Sequence, residues 1–419
     1  MSPFAKRTQW NLEPNRLSAA LAQHRAAGKP LLDLIVSNPT ECGFTYGDKA
    51  ILDALGNPGA LRYEPTPKGL VPAREAVSEY YAERGATVVV DDVILTTSTS
   101  EAYSYVFRLL CNPGDEILIP APSYPLFDFL ADIQDVTLAR YPLVYDHGWQ
   151  IDFHTLEQPI TSRTRAIVVV NPNNPTGHFT KRAEMEKLNE ICAARGLAII
   201  ADEVFLDFAA PAAPNVAPGF IPASSASRGY SPAHRSFSGG GSLATSISFA
   251  KNQGALTFTM SGLSKICGLP QMKAAWLVTS GPEQLKREAL ARLEVIADTY
   301  LSMNAPVQLA MPAFLSQRAA FQKQLMARVS RNLAELDRQL AQQKVCSRLE
   351  VEGGWYVALR VPATRSDEDL ALALLNERGV YVHPGHFYDF PSDGYLVVSL
   401  ITKDCDLSRG LTALVTFFN

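Results

Sequence analysis

The chain has 419 residues, of which 47% are hydrophobic and 19% charged, and its formal net charge is −4. This length exceeds what one hydrophobic core usually serves, so two domains are expected in an ordinary globular protein. The charge balance leaves no basic surface for nucleic acid, and no apolar run is long enough to cross a bilayer.

Cysteine usage and the first residues bear on the cellular compartment. The cysteines are scattered and form no CxxC pair, lying at Cys42, Cys111, Cys192, Cys267, Cys346 and Cys405. In a chain of this length they are expected to be reduced thiols. The first ten residues contain no apolar segment of signal-peptide length. A cytoplasmic location is therefore expected.

Short apolar runs alternate with amphipathic stretches through the middle of the chain. The runs predict strands at Val93–Thr96, Glu116–Ile119, Ala166–Val170, Leu197–Ala201 and Ala274–Val278. Helices are predicted from Pro72 to Gly85 and over about 100–111 and 181–195. Buried strands separated by helices indicate an α/β fold with a mostly parallel, doubly wound central sheet.

The alternation of predicted strands and helices ends at about Arg292. Residues 285–345 are strongly helical in pattern, and they are followed by Leu349–Val361, a helix near Asp367–Arg378, and strands near Val380–Val382 and Tyr395–Ile401. This mixture predicts a smaller α+β domain at 291–419, after a large domain at 46–290. The N-terminal segment, 1–45, is expected to pack with the small domain. Within the large domain, the Ala-, Pro-, Ser- and Gly-rich residues 209–245 predict an irregular surface insertion or a lid over the site.

Three polar features together indicate a chemistry. Lys265 lies in Ser-Gly-Leu-Ser-Lys (261–265), Asp202 ends a predicted strand, and an Asn-Pro-Thr-Gly turn spans 174–177. In open α/β sheets, ligands bind beyond the carboxyl ends of the strands. A lysine amine, a carboxylate and an asparagine amide can hold the aldehyde, ring nitrogen and phenolic oxygen of pyridoxal 5′-phosphate (PLP). The sequence therefore predicts PLP bound as a Schiff base on Lys265.

Each neighbouring polar residue also has an ordinary structural interpretation. The segment Thr96–Ala102 follows a strand and opens a helix, where hydroxyls and free amides suit a phosphate. The same residues are good helix caps. Asp202 could cap the next element, Asn174 could be a turn residue, and Tyr124 could be packing rather than a ring stacked on the cofactor. Their combination in this order favours the cofactor site.

This combination resembles the class I/II aminotransferases of the fold type I PLP-dependent enzymes, such as aspartate, alanine and tyrosine aminotransferases. The resemblance covers nearly the whole chain, through Tyr63–Gly69, Pro113–Asp115, Pro122–Pro125, Asn171–Gly177, Asp202–Val204 and Ser264–Lys265. It implies an aminotransferase that moves an amino group from an amino acid to a keto acid by a ping-pong mechanism.

The resemblance also implies roles for individual residues. Lys265 would form the Schiff base and shuttle the proton, Asp202 would pair with the pyridinium, Asn174 with the phenolic oxygen, and Tyr124 would stack on the ring. The implied phosphate contacts are Ser98, Thr99, Ser100, Ser264 and Lys273. Tyr63 would reach the phosphate of the neighbouring subunit, which implies a homodimer with shared active sites.

Three positions depart from the family pattern. Phe205 replaces a tyrosine that donates to the phenolic oxygen. Unless another hydroxyl substitutes, we therefore expect the Schiff base to titrate at higher pH than in a typical relative. Lys273 replaces an arginine and would meet the phosphate as a point charge. Val397 lies where the family has the arginine that clamps the substrate carboxylate. Either another residue binds the carboxylate, or the substrate has none beside its amine. Arg360 is the nearest replacement, unless it is a surface residue at a strand end.

The C-terminal segment His383–Asp389 falls where the family has a loop near the substrate. His386 and Tyr388 are candidates for the pocket wall there. His383 and His386 have no acidic or cysteine partner, so no metal site is predicted. Trp355 and Trp276 are interpreted as packing.

Two other functions remain open. The same fold and lysine serve β-lyases, synthases and decarboxylases, because the cofactor supplies the chemistry and the pocket selects the bond. A PLP-binding transcription regulator would need a basic helix-turn-helix domain, for which the strand-like Leu31–Val36 leaves no room before it. The expected partners are an amino donor, a keto-acid acceptor and a second copy of the chain.

Overall fold

The computed structural model describes residues 3–210, 247–301 and 303–419. Its helices are α1 (Arg16–Ala26), α2 (Asp48–Leu55), α3 (Val71–Glu83), α4 (Thr99–Leu110), α5 (Phe127–Asp132), α6 (Phe153–Glu157), α7 (Arg182–Arg195), α8 (Leu263–Ile266), α9 (Glu283–Tyr300), α10 (Ala305–Leu340), α11 (Asp367–Arg378) and α12 (Asp404–Phe418). Its strands are β1 (Leu32–Asp33), β2 (Val93–Thr96), β3 (Glu116–Ala121), β4 (Thr137–Tyr145), β5 (Trp149–Ile151), β6 (Thr164–Val170), β7 (Ala198–Asp202), β8 (Thr257–Gly262), β9 (Ala275–Ser280), β10 (Ser347–Arg348), β11 (Tyr356–Arg360), β12 (Val380–Tyr381), β13 (His383–Pro384) and β14 (Tyr395–Ser399). No helix within these ranges has both the length and the apolar content needed to span a membrane.

The largest sheet has the strand order β2-β9-β8-β7-β6-β3-β4-β5. Neighbouring strands from β8 to β4 are parallel, whereas β9 is antiparallel to both β2 and β8, and β5 is antiparallel to β4. The predicted α/β class with a mostly parallel central sheet is therefore confirmed.

Alternate residues of the central strands enter two hydrophobic clusters on opposite faces of the sheet. On β6, Ile167 and Val169 belong to the cluster that contains Leu188 of α7. Val168 and Val170 belong to the cluster that contains residues of α4 and α9. Because both faces are covered, these strands read in the sequence as continuous apolar runs, which is why they were predictable.

The predicted strands agree with β2, β3, β6, β7 and β9 to within two residues at each end. By contrast, β4 and β8 lie outside the predicted strands. All residues of β8 are buried, but Thr257, Thr259 and Ser261 interrupt its apolar character. A strand with alternating polar residues gives no continuous apolar run, and β8 is the strand that leads to Lys265.

The C-terminal part of the chain contains three elements outside the predicted ones, β10, β13 and α12. The helical pattern over 285–345 is two helices, α9 and α10, which are separated at Leu301 by a left-handed backbone with φ 49°. Asn304 then caps α10 by accepting a hydrogen bond from the Val307 N–H at 3.0 Å.

Two smaller sheets lie in the C-terminal part of the chain, and one of them includes an N-terminal strand. Strands β10, β11, β14 and β13 form an antiparallel sheet, and β1 pairs in parallel with β12, with Leu32 opposite Val380. Ala209 forms an isolated bridge with Gly353. The rest of the predicted insertion at 209–245 lies outside the described residues.

Candidate active site

The topology aligns the carboxyl ends of several strands. Strands β2, β3, β6, β7 and β8 run in one direction, because β9 is antiparallel to both of its neighbours. The predicted site residues follow or end these strands: Ser98 after β2, Tyr124 after β3, Asn174 after β6, Asp202 at the end of β7 and Lys265 after β8. The sheet therefore places residues that are distant in sequence along one edge.

Lys265 is held by a close approach of β8 to β9. A Cβ on Gly262, the last residue of β8, would lie 2.8 Å from Ala275 Cβ, so a larger residue would push the strands apart. The Lys265 Nζ lies 5.0 Å from the centre of the Trp355 ring and 5.7 Å from that of Phe205.

These surroundings change the chemistry of the amine. Burial lowers the pKa of Lys265 to about 8, and the negative charge of Asp202 acts in the opposite direction. A substantial fraction of the amine is therefore neutral near physiological pH. The neutral amine is the form that attacks a carbonyl carbon.

Asp202 provides the negative charge of the site. Its Oδ1 accepts a hydrogen bond from the Val204 N–H at 3.2 Å, and its Oδ2 accepts one from the Tyr103 hydroxyl at 3.2 Å. Burial raises the pKa of Asp202 to about 6, while these hydrogen bonds and Lys265 lower it. The carboxylate is therefore mostly ionised at neutral pH. Tyr103 was not among the predicted site residues, since a tyrosine in a helix pattern is typical of packing.

The asparagines of the 171–177 motif have different environments. Asn171 donates to the Ile247 carbonyl at 2.9 Å and accepts from the Thr180 N–H at 3.1 Å, and Asn173 accepts from the Thr176 hydroxyl at 2.9 Å. The buried Oδ1 of Asn174 has no partner among the described residues. The buried Nδ2 of Asn173 likewise has no partner there. A buried polar atom without a partner is unfavourable by about 1–3 kcal/mol, so Asn173 and Asn174 both have amide atoms that a ligand could pair.

The start of α4 supplies an anion-binding surface. Ser98 caps the helix, because its Oγ accepts from the Glu101 N–H at 3.1 Å. This accords with the capping interpretation, and it leaves the Ser98 hydroxyl proton free to donate elsewhere. Thr99 and Ser100 form the first turn, are partly accessible, and have amides without intrahelical partners.

Aromatic residues line the region around Lys265. Phe205 and Trp355 meet edge to face with ring centres 5.0 Å apart. Trp355, which the sequence suggested as packing, is therefore a neighbour of Lys265. Trp276 is indeed packing: it is fully buried, and its indole N–H donates to the Tyr81 hydroxyl at 3.2 Å.

Two loops bring further tyrosines to this region. Tyr124 is 45% exposed, and its partial burial, together with the negative charge of Asp202, raises its pKa. The Ser123 N–H donates to the Tyr388 carbonyl at 2.8 Å. The Tyr388 hydroxyl lies 3.0 Å from Nδ1 of His383. Tyr388 therefore lies beside the loop of Tyr124, whereas His386 is exposed.

The remaining candidates differ in their surroundings. Tyr63 is 78% exposed and lines a surface cavity of about 410 Å³. Lys273 is exposed in a left-handed conformation with φ 51°. Val397 is fully buried in the small sheet opposite Ala358. Arg360 is exposed beside the Tyr395 ring, at the end of β11 farthest from Trp355, and is thus a surface residue.

The sequence and the fold are both similar to those of known proteins. A family model described as aminotransferase class I and II matches residues 45–407. The chain is 25% identical over 400 residues to the glutamate-pyruvate aminotransferase AlaA of Haemophilus influenzae, covering 94% of this chain and 91% of that protein. It is 28% identical over 406 residues to an alanine aminotransferase of Mycobacterium tuberculosis, covering 94% and 87%. The solved alanine aminotransferase from Pyrococcus furiosus has the same fold, with a TM-score of 0.82 and 22% identity over 99% of each chain.

Proposed function

The chain belongs to the class I and II aminotransferases, and on this premise we propose that its PLP site is built around Lys265, Asp202 and Asn174. Its reaction is transamination, the transfer of an amino group from an amino acid to a keto acid. Nothing favours the lyase, synthase or decarboxylase alternative, since the relatives named above are transaminases. Alanine and glutamate are the first donors to examine, because the names of those relatives contain them.

The residues of the site fit the parts of PLP. Asp202 offers an ionised oxygen to the ring nitrogen. Asn174 would donate to the phenolic oxygen from its amide nitrogen, and its buried Oδ1 has no partner among the described residues. Tyr124 would cover a face of the ring. The residues proposed for the phosphate are Ser98, Thr99 and Ser100 at the start of α4, with Ser264 and Lys273. When bound, PLP supplies an electron sink for the carbanion left when the substrate loses its α-proton.

Lys265 would act twice in each half-reaction. Its neutral amine would hold the cofactor at the aldehyde group, and it would become free for proton transfer once a substrate amine takes its place. The freed Nζ is the base that takes the proton from the substrate Cα. Its lowered pKa, about 8, suits this role, because a general base works best when its pKa lies near the working pH.

We propose that the enzyme is a homodimer with shared sites. Leu61, Tyr63 and Leu301 are 93%, 78% and 62% exposed and line or adjoin the cavity at Tyr63. Apolar side chains grouped on a surface are typical of an interface. In such a dimer, Tyr63 would contact the phosphate held by the neighbouring subunit.

We also propose a domain division and a location. The large domain would comprise 46–290 and the small domain 291–419, with 1–45 packed against the latter, as the β1–β12 pairing supports. The cysteines are all free thiols, which is consistent with a reducing cytoplasm.

The observation that carries the proposed site is the buried Asp202 carboxylate, which interacts electrostatically with the Lys265 amine, at the sheet edge that also carries Asn174. The test is the absorption spectrum of purified protein with PLP, followed on mixing with alanine, glutamate and other amino acids without any keto acid. We expect the visible band of the bound cofactor to convert to the pyridoxamine form in the wild type but not in Lys265→Ala.

Lys187→Ala is the matched control, because Lys187 lies on α7 and pairs only with Glu190 at the surface among its recorded contacts. It should behave as the wild type. A Lys265→Ala protein that still turned over amino acids would remove Lys265 from the proposed role.

A further inference from the structure

Helix α4 carries a tyrosine that contacts the carboxylate of the site. Tyr103 is 3% exposed, and its hydroxyl donates to Oδ2 of Asp202 at 3.2 Å. We propose that Tyr103 is a positioning residue that keeps Asp202 ionised and oriented toward the ring nitrogen of the bound cofactor. This inference rests on the proposed function, because it concerns the carboxylate assigned to that nitrogen.

The hydrogen bonds to Asp202 show why Tyr103 matters. An ionised carboxylate has about four acceptor positions. The Val204 N–H occupies one on Oδ1 and the Tyr103 hydroxyl one on Oδ2, so each oxygen keeps a position for a ligand. The Val204 donor belongs to the backbone that follows β7. Of these two donors, Tyr103 is the one that a side-chain substitution can remove.

Packing fixes the position of the Tyr103 ring. It meets Phe107 and Phe127 edge to face, with ring centres 5.9 and 5.5 Å apart. These contacts lie in the cluster between the sheet and α4, so a phenylalanine at position 103 would keep the same apolar contacts. The hydroxyl is therefore the group that the site adds to an otherwise ordinary core residue.

Tyr103 also connects two parts of the proposed site. Ser100 lies three residues before it, and residues three apart share a face of a helix. The first turn of α4 would hold the phosphate, while Tyr103 would hold Asp202 at the other end of the ring. One helix would thereby set the distance between these two anchoring points.

The hydrogen bond from Tyr103 affects the pKa of Asp202 in a definite direction. Burial raises the pKa of Asp202, and the hydrogen bond from Tyr103 lowers it. The groups that face Asp202 are Lys265, Tyr103 and Tyr124. Glu203 points to the other face of β7, where it accepts from the Ser248 hydroxyl at 2.7 Å. Without Tyr103, Asp202 would be protonated more often near neutral pH and would hold a proton on the ring nitrogen less firmly.

The test compares Tyr103→Phe with Tyr80→Phe in the complete, cofactor-loaded enzyme. Tyr80 is a matched control, since it is a buried tyrosine whose hydroxyl donates to Asp207, a buried carboxylate paired with Arg84. The readouts are the dissociation constant for PLP and the pH midpoint of the visible cofactor band. We expect Tyr103→Phe to weaken PLP binding about tenfold, the order expected for a hydrogen bond to a charged group.

The pH midpoint of the band should rise by about one unit in Tyr103→Phe, because a less positive ring favours the protonated imine at Lys265. Tyr80→Phe should leave both readouts unchanged. If the wild type shows the visible band and Tyr103→Phe has the same pH midpoint and the same PLP affinity as the wild type, this inference alone is overturned. Equal changes in Tyr103→Phe and Tyr80→Phe would also overturn it. A wild type that acquires no visible band with PLP would overturn the proposed function and this inference together.

Discussion

At Lys265, the surroundings rather than the residue type set the reactivity. Burial beside Trp355 and Phe205 lowers its pKa from 10.5 to about 8. We predict that the rate at which cofactor-free protein forms a visible band with PLP rises with pH and levels off above about pH 8, as neutral amine becomes dominant. Stopped-flow absorbance across this range measures the midpoint. A midpoint near that of a solvated lysine would contradict the low pKa.

Phe205 provides a second prediction at the level of a single residue. It is 4% exposed, and its ring centre lies 5.7 Å from the Lys265 Nζ. Phe205→Tyr would add a hydroxyl at the position where the class I and II aminotransferases usually have a tyrosine. We predict that the pH midpoint of the visible cofactor band falls by about one unit, because a new donor stabilises the deprotonated Schiff base. Spectrophotometric titration of both proteins tests this, and equal midpoints would refute it.

Among the elements, the turn after β6 depends on a glycine. Gly177 has φ +72°, and a Cβ there would lie 2.7 Å from the Gly353 carbonyl oxygen. Gly177→Ala should therefore combine backbone strain with a clash that displaces the turn carrying Asn174. We predict a loss of about 2–4 kcal/mol in the free energy of unfolding and weaker PLP binding.

Gly196→Ala is the control for this prediction. Gly196 ends α7 with φ +66°, and a Cβ there would meet no atom within 4 Å. Gly196→Ala should therefore lower the free energy of unfolding by about 1 kcal/mol, through backbone strain alone, and should leave the PLP affinity unchanged. Denaturant unfolding and cofactor titration measure both quantities. Equal effects of the two substitutions would show that the clash at Gly177 is unimportant.

At the scale of the molecule, buried acids link stability to pH. Glu203 is fully buried, and burial raises its pKa from 4.5 to about 7. The folded protein therefore retains a proton that the unfolded chain releases between these values, and its stability falls as pH rises through this window. Below pH 4.5, Glu203 is protonated in both the folded and the unfolded state, so it causes no loss of stability. Above pH 7 it is ionised in both states, and the loss of stability has its full value.

We predict that Glu203→Gln reduces the decline in the free energy of unfolding between pH 4.5 and 7 by about 3 kcal/mol. The measurement is denaturant unfolding of the cofactor-free protein at several pH values. Glu190→Gln serves as the control, because Glu190 pairs with Lys187 at the surface. An unchanged pH dependence in Glu203→Gln would contradict the raised pKa.

The proposed dimer is also tested at this scale. Leu61 is 93% exposed near the cavity at Tyr63, and an interface there would bury it. We predict that Leu61→Asp halves the mass seen by light scattering and lowers PLP affinity, since the neighbour's Tyr63 would be withdrawn. Val345→Asp, at a side chain 43% exposed after α10, should do neither. A wild type that is monomeric, or a dimeric Leu61→Asp, would count against this interface.

Local sequence patterns indicate some residues of the proposed site and miss others. Lys265, Asp202 and Asn174 stand out as candidates because each is a polar residue in a short motif near the end of an apolar run. Tyr103 and Trp355 do not, because buried aromatic residues give the same pattern in a plain core. Only their contacts, 3.2 Å to Asp202 and 5.0 Å to Lys265, distinguish them.

The order of motifs by itself determined the family, the α/β class and most of the strands of the central sheet, because each of these depends on residues close together in the chain. The tertiary structure decided the strand order, the place of β8, and the neighbours of Lys265 and Asp202. These depend on pairing between strands distant in sequence, such as β2 with β9 and β7 with β8. Strand pairing brings side chains to one edge of a sheet, and no local pattern of residues records which strands will be neighbours.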